Sequence, residues 1–281
     1  MPLISLVSLK GSPGVTTTAL ALAAAWPAPQ RLLAELDPAG GDLEIRLGLP
    51  TNSGGLAGLA AAARHPQSRH SPWEFACELA GGVHVLPAPP GADQAGACLR
   101  TLTAAGVLSR LAAEATAGEA VVIADCGRLD PGAVTTQAGV LAGVVLVVVR
   151  PHLSDLAHLA GRLEAISQHA TAAGLVLVTG AGLPRGDPVY PADEISQALD
   201  ARVLGSLPAD PRGVAALLAG RGQPTRERRR LPLARAARDL AATVAGILPA
   251  RPGEVPSPAA ADGQDALPAG RAIAAAEVTV R

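Results

Sequence analysis

Lys10-Gly11-Ser12-Pro13-Gly14-Val15-Thr16-Thr17-Thr18 follows directly on an apolar run, Pro2-Leu3-Ile4-Ser5-Leu6-Val7-Ser8-Leu9. A buried strand, a glycine loop and then a helix, expected here over Thr16–Ala25, aims backbone N–H groups and a helix dipole at an anion. Gly11 and Gly14 let the backbone approach a phosphate, and Thr16 and Thr17 offer hydroxyls to a magnesium ion and a phosphate. The standard phosphate loop, G-x-x-x-x-G-K-S/T, requires a lysine immediately before the hydroxyl residue. Val15 stands at that place, so the strict motif fails. A lysine occurs earlier instead: of the 23 Lys and Arg residues only Lys10 is lysine. An ammonium is a compact point charge and a guanidinium a planar fork, so a tight phosphate pocket distinguishes them.

Two acidic segments could complete such a site. Arg31-Leu32-Leu33-Ala34-Glu35-Leu36-Asp37-Pro38-Ala39-Gly40-Gly41-Asp42-Leu43 reads as a short strand running into an acidic turn. Ala120-Val121-Val122-Ile123-Ala124-Asp125-Cys126-Gly127 reads as a strand that ends in an aspartate and then a glycine. Each has a plainer reading as an ordinary strand-end turn, since Asp, Pro and Gly are what turns need. Their order along one chain after a glycine loop is harder to explain that way.

The early lysine resembles the deviant phosphate loop of the MinD/ParA family, K-G-G-x-G-K-T-T/S, of the SIMIBI class of P-loop ATPases. Gly11, Gly14, Thr16 and Thr17 match it, Ser12 replaces a glycine and Val15 replaces the lysine that neutralises the β/γ-phosphates within one subunit. The resemblance implies that Lys10 is the signature lysine, which reaches the partner subunit's nucleotide across a dimer. Glu35 to Gly40 is similar to the family's switch segment, D-x-D-P-x-G, with Glu35 in place of the first aspartate and Asp37 as the one that orients the attacking water. The Gly-Gly-Asp-Leu continuation is closer to the CpaE/TadZ branch, which localises pili. Asp125 resembles the Walker B aspartate, which holds magnesium through water, and Gly127 the glycine that senses the γ-phosphate. The implied nucleotide site is therefore Gly11, Ser12, Pro13, Gly14, Val15, Thr16, Thr17, Asp125 and Gly127, with Lys10 and Asp37 catalytic. The implied cofactors are ATP and Mg2+, the ion being held by Thr16, Asp37 and Asp125.

Positioning these groups requires a particular sheet. Val83–Pro87, Val144–Arg150, Leu175–Thr179 and Val203–Leu207 are further Val/Leu-rich runs without polar alternation, the pattern of strands covered on both faces. Helices are expected over Gly54–Arg64, Ala92–Ala105, Val107–Ala117, Leu153–Ala170, Ala192–Leu199, Gly213–Ala219 and Leu233–Leu248. The alternation predicts a three-layer α/β fold with a doubly wound, mainly parallel sheet over residues 1–250. Ligands of such sheets bind at the carboxyl ends of the strands, where Lys10, Asp37 and Asp125 fall. Residues 251–281, rich in Pro, Ala and Gly, are expected to form a disordered tail.

Composition excludes other classes. The net charge of −1 gives no global attraction to nucleic acid or an anionic membrane. Three cysteines, Cys77, Cys98 and Cys126, form no C-x-x-C pair, which fits a reducing cytoplasm. The six histidines show no metal-ligand spacing. The apolar face of a helix over Gly270–Val280 would be mostly alanine, so membrane binding through the tail is not expected. One basic segment remains: Arg221, Arg226, Arg228, Arg229, Arg230, Arg235 and Arg238 face a single acid, Glu227. Such a run is either a solvated lead into the last helix or a footprint for the DNA backbone.

The leading expectation is a MinD/ParA-like ATP-binding protein with weak hydrolysis. It would form a nucleotide-dependent homodimer and recruit an unidentified protein partner in chromosome partition, septum placement or pilus and secretion assembly. Two alternatives stay open: a pseudo-ATPase scaffold, which Val15 favours, and a nonspecific DNA-binding module using Arg221–Arg238.

Overall fold

The computed structural model describes residues 3–10, 13–50, 54–65, 70–111, 120–129, 142–170, 172–180, 188–219 and 227–248. The expected tail at 251–281, the helix beyond 111 and the loop residues Gly11 and Ser12 lie outside them. All described elements belong to one unit, Met1–Leu248.

Apolar runs become strands, and their burial explains why they lack alternation. The strands are β1 Leu3–Ser8, β2 Gln30–Glu35, β3 Cys77–Leu79, β4 Val83–Leu86, β5 Ala120–Arg128, β6 Ala142–Val149, β7 Ala173–Thr179 and β8 Val203–Pro208. Every residue of β1 is buried, as is every residue from Val144 to Val149. Each such Val, Leu or Ile contributes about 1.5–3 kcal/mol relative to exposure. The strands form one sheet in the order β3-β4-β2-β5-β1-β6-β7-β8, in which all neighbours run parallel except β3 and β4.

Helices cover both faces. On one lie α1 Val15–Ala25 and the last helix, α9 Pro232–Ile247, which bury Ala19, Leu22, Leu233, Leu240 and Val244 in one cluster. On the other, α3 Gly55–Ala63, α4 Ala92–Ala104, α5 Leu153–Ala160 and α6 Leu163–His169 bury Leu56, Leu59, Leu99, Leu102, Leu156 and Ile166. A one-turn helix, α2 Leu43–Leu47, follows β2, while α7 Ala192–Leu199 and α8 Pro211–Leu218 flank β8. This is the expected three-layer arrangement.

Alternation along β5 aims the central acid. Val122, Ala124 and Cys126 join the α3/α4 cluster, and Val121 and Ile123 the α1 cluster. With a period of two, Asp125 points to the α1 face. Glu35 shares that face, because Leu33 lies in the α1 cluster and pairs with Ile123 while Glu35 pairs with Asp125.

Three local expectations are corrected. Strand β5 runs one residue past the expected Gly127, to Arg128, by way of a bulge: Leu6 pairs with Asp125 and Ser8 with Arg128, leaving one extra residue on β5. The helix expected over Leu153–Ala170 is two helices, broken at Gly161 and Arg162, where Arg162 leaves helical geometry (φ −128°) and donates a hydrogen bond to the Leu129 carbonyl at 3.2 Å. Neither α2 nor the antiparallel edge strand β3 was expected. Both are too short to show a period.

Candidate functional site

The carboxyl ends of β1, β2 and β5 open onto a cleft of about 930 Å³, at the point where the order of parallel strands reverses. Its floor is the first turn of α1. Gly14, with φ 102° and ψ 35°, holds a left-handed conformation that turns the chain into the helix. No side chain caps this end, and the first intrahelical bond runs from the Thr18 N–H to the Gly14 carbonyl at 2.8 Å. The N–H groups of the first turn therefore face the cleft together with the half-positive end of the helix dipole. Gly14, Val15, Thr16 and Thr17 all line it.

Opposite that turn stand carboxylates in three different environments. Asp37, just past β2, accepts a hydrogen bond from the Ala39 N–H at 2.8 Å. Gly127 sits directly beneath it with φ 60°, and a Cβ there would fall inside the Asp37 carboxylate. The β5 bulge and this glycine thus make room for Asp37 next to Asp125. Asp125 is 1% exposed; its Oδ1 accepts from the Gly127 N–H at 3.2 Å, and its Oδ2 has no hydrogen-bond partner. Burial pushes its carboxyl up to about 7; the neighbouring Glu35 and Asp37 charges add to the rise, and the Thr16 hydroxyl and Gly127 N–H oppose it.

Glu35 has a different task. Its Oε1 accepts from the N–H groups of Asp42 and Leu43 at 2.9 and 3.1 Å, and its Oε2 from the Ala88 N–H at 2.9 Å. It pins the start of α2 and the segment after β4 to the sheet. Burial raises its pKa, although the three backbone N–H groups pull it down.

The donor set suits a small hard cation. A buried carboxylate oxygen without a partner is expensive in a protein interior unless something binds there. Asp125, Asp37 and the Thr16 hydroxyl offer oxygens to the same cleft. Among the described residues no group of three His, Cys, Asp or Glu side chains could hold a metal by itself. Magnesium does not need one, since it takes one or two carboxylates and completes its shell with water and phosphate oxygens.

The other sequence candidates divide. Val15 lies in the cleft and is 7% exposed, an apolar side chain where the motif calls for a cation. Pro13 is buried and is not among the cleft residues. Lys10 is exposed and lies beside Leu9, Val149, Asp155 and Leu159, on the β6 and α5 side, rather than in the cleft. Of the basic segment, Arg229, Arg230, Arg235 and Arg238 are exposed, and Arg238 donates to the Arg229 carbonyl at 2.8 Å. Arg221 and Arg226 lie outside the described residues.

Two cations of the cleft escaped the sequence reading, Arg46 and Arg128. A signal for Arg46 existed: Leu43 and Leu47 are four apart and both buried, the spacing of a single helical turn that presents Arg46 on the adjacent face.

No family model matches the chain, and no curated protein matches it. Solved structures do. The cell division ATPase MinD of Pyrococcus furiosus superposes with a TM-score of 0.67 at 18% identity, over 87% of this chain and 98% of that one. A ParA family ATPase from Chlorobium tepidum gives 0.67 at 17% identity, over 86% and 98%. The septum site-determining protein MinD of Pyrococcus horikoshii, complexed with Mg-ADP, gives 0.65 at 19% identity, over 86% and 95%. Over most of its length, then, this chain is folded as the MinD and ParA ATPases are.

Proposed function

We propose that the chain is a MinD/ParA-like protein that binds ATP with magnesium in this cleft and works in the cytoplasm as a nucleotide-dependent organiser. The observation that carries the reading is the unpartnered, buried Oδ2 of Asp125, which shares the cleft with Asp37, Thr16 and the uncapped start of α1. A magnesium ion, when bound, would shield phosphate charge from the carboxylates. Thr16 and Asp125 would hold it, Asp37 would orient water, and the α1 N–H groups would bind phosphate oxygens. The Mg-ADP of the P. horikoshii protein supports the choice of ligand.

Calorimetric titration with ATP and magnesium tests this. Saturable binding should disappear on chelation and in Asp125→Ala. Absence of binding by the unaltered protein at pH 8 removes the reading.

Lys10 would act between subunits. Its exposure and its place outside the cleft fit a side chain that serves a second copy rather than its own phosphates. Nucleotide would then favour a dimer by binding that state better, and the dimer would recruit a protein partner. No helix among the described residues is long and apolar enough to cross a membrane.

Val15 favours a second reading, a pseudo-ATPase scaffold that binds nucleotide without turnover. Losing one preorganised donor to a developing phosphoryl charge commonly lowers the rate by about 10²–10³. Phosphate release by the unaltered protein separates the two: a scaffold releases none, and release gained in Val15→Lys would trace the loss to position 15.

A further inference from the structure

The cleft lacks positive charge where an anion should sit. Glu35, Asp37, Asp42 and Asp125 all line it, Val15 contributes none, and Lys10 lies elsewhere. The partial charge at the start of α1, about half an elementary charge, is small against a polyphosphate tail. Among the described cleft residues, two cations remain, Arg46 and Arg128.

Arg46 is built into the wall. Glu35 holds the Asp42 and Leu43 N–H groups and so anchors α2 beside the first turn of α1. From there the Arg46 Nη2 donates to the Thr17 Oγ1 at 3.3 Å, and its Nη1 pairs with the Asp42 Oδ2 at 3.5 Å. The guanidinium is thereby tethered from two sides, on a hydroxyl of the phosphate-loop helix, with 26% of the side chain exposed. A guanidinium carries five N–H donors, so these two contacts leave others for a ligand. Its planar fork also matches two oxygens of one phosphate, which an ammonium does not.

We propose that Arg46 supplies, from within the same subunit, the charge that Val15 does not: its guanidinium binds the outer phosphate oxygens of a nucleoside di- or triphosphate seated on α1. This rests on the reading of the cleft as a nucleotide-phosphate site. It makes the valine at position 15 a relocation of charge rather than a loss. In a chain whose remaining 22 basic side chains are all arginine, the relocated group is an arginine too.

Calorimetric titration of ATP with magnesium into the unaltered protein, Arg46→Ala, Arg46→Gln, Asp42→Ala, Val15→Lys and Val15→Lys/Arg46→Ala tests the assignment. A charge-assisted contact of this kind corresponds to a loss of about 10–100-fold in affinity on removal. Arg46→Ala and Arg46→Gln should both show it while keeping the melting temperature of the unaltered protein. Val15→Lys should restore most of the affinity in the Arg46→Ala background and add little in the unaltered one. Asp42→Ala breaks the same ion pair but removes a negative charge, so it should bind as tightly or more tightly. Equal weakening by Asp42→Ala and Arg46→Ala would mean that Arg46 merely docks α2, and would overturn the proposal. Unchanged affinity in Arg46→Ala, with the unaltered protein binding, overturns it too and leaves the nucleotide reading standing. If the unaltered protein binds no nucleotide, both fall. Should Arg46→Ala fail to fold, Arg46→Gln, which keeps the length and polarity of the side chain, decides.

Discussion

Asp125→Asn should make the ligand-free protein more stable, and more so in alkali. Asp125 is fully buried with one oxygen unpartnered, and its pKa rises from 3.8 to about 7 on folding. A carboxyl whose pKa is raised on folding holds its proton more tightly in the folded state. Its stabilising contribution is present at low pH and is lost as the pH climbs through 7. Over the whole window from the unfolded to the folded pKa the effect amounts to about 4 kcal/mol. Between about pH 5.5 and pH 8 about half of it, some 2 kcal/mol, should appear. Asparagine has nearly the same shape, keeps an oxygen for the Gly127 N–H and does not titrate. The gap in unfolding free energy between Asp125→Asn and the unaltered protein should thus widen by about 2 kcal/mol from pH 5.5 to pH 8. At a urea slope of about 3 kcal/mol/M that is a shift of about 0.7 M in the difference between midpoints. Glu35, also raised by burial, is present in both proteins and drops out of the gap to first order. The assay is urea unfolding at the two pH values with chelator present. A gap that does not change with pH would refute the account of Asp125 as a buried carboxylate waiting for a cation. Adding ATP and magnesium at pH 8 should then stabilise the unaltered protein and leave Asp125→Asn unmoved.

Glu35→Ala should unfold the region around α2: the buried N–H groups of Leu43 and Ala88 lose their acceptor, at about 1–3 kcal/mol each, and the part-buried N–H of Asp42 loses it too, so urea denaturation should show a loss of at least about 2 kcal/mol. Gly127→Ala should weaken binding of ATP with magnesium measured by calorimetry, because its Cβ would displace the Asp37 carboxylate and φ 60° disfavours any side chain. Lys10→Ala should leave nucleotide binding to the monomer nearly intact and abolish ATP-dependent dimerisation in sedimentation, with Lys10→Arg failing almost as badly. A dimer in Lys10→Ala equal to that of the unaltered protein would contradict the intersubunit role.

Long apolar runs announced themselves. The strands β1, β5, β6 and β7 were legible because burial on both faces writes a nearly unbroken apolar run into local sequence, and β2, β4 and β8 carry shorter apolar runs of the same kind. Of the glycine loop, Gly14 lines the cleft with Asp37 and Asp125, and all three were legible because tight turns and strand-end acids restrict residue type at particular spacings. Their convergence on one cleft also followed from chain order, since parallel strands of a doubly wound sheet end on the same side. What local sequence did not carry was anything made by one tight turn meeting another. The one-turn α2 exists because Glu35 accepts two of its N–H groups from a strand seven and eight residues back. Arg46 meets Thr17 across 29 positions of chain. The Gly127 bulge matters only because Asp37 arrives above it from β2. A residue's type and spacing are local quantities, whereas the charge of a cleft and the pKa of a buried acid sum over neighbours that only the folded chain assembles. Sequence alone thus determined that a glycine turn and two acids would meet at the carboxyl ends of inner parallel strands; the tertiary structure decided which cations line the cleft beside them.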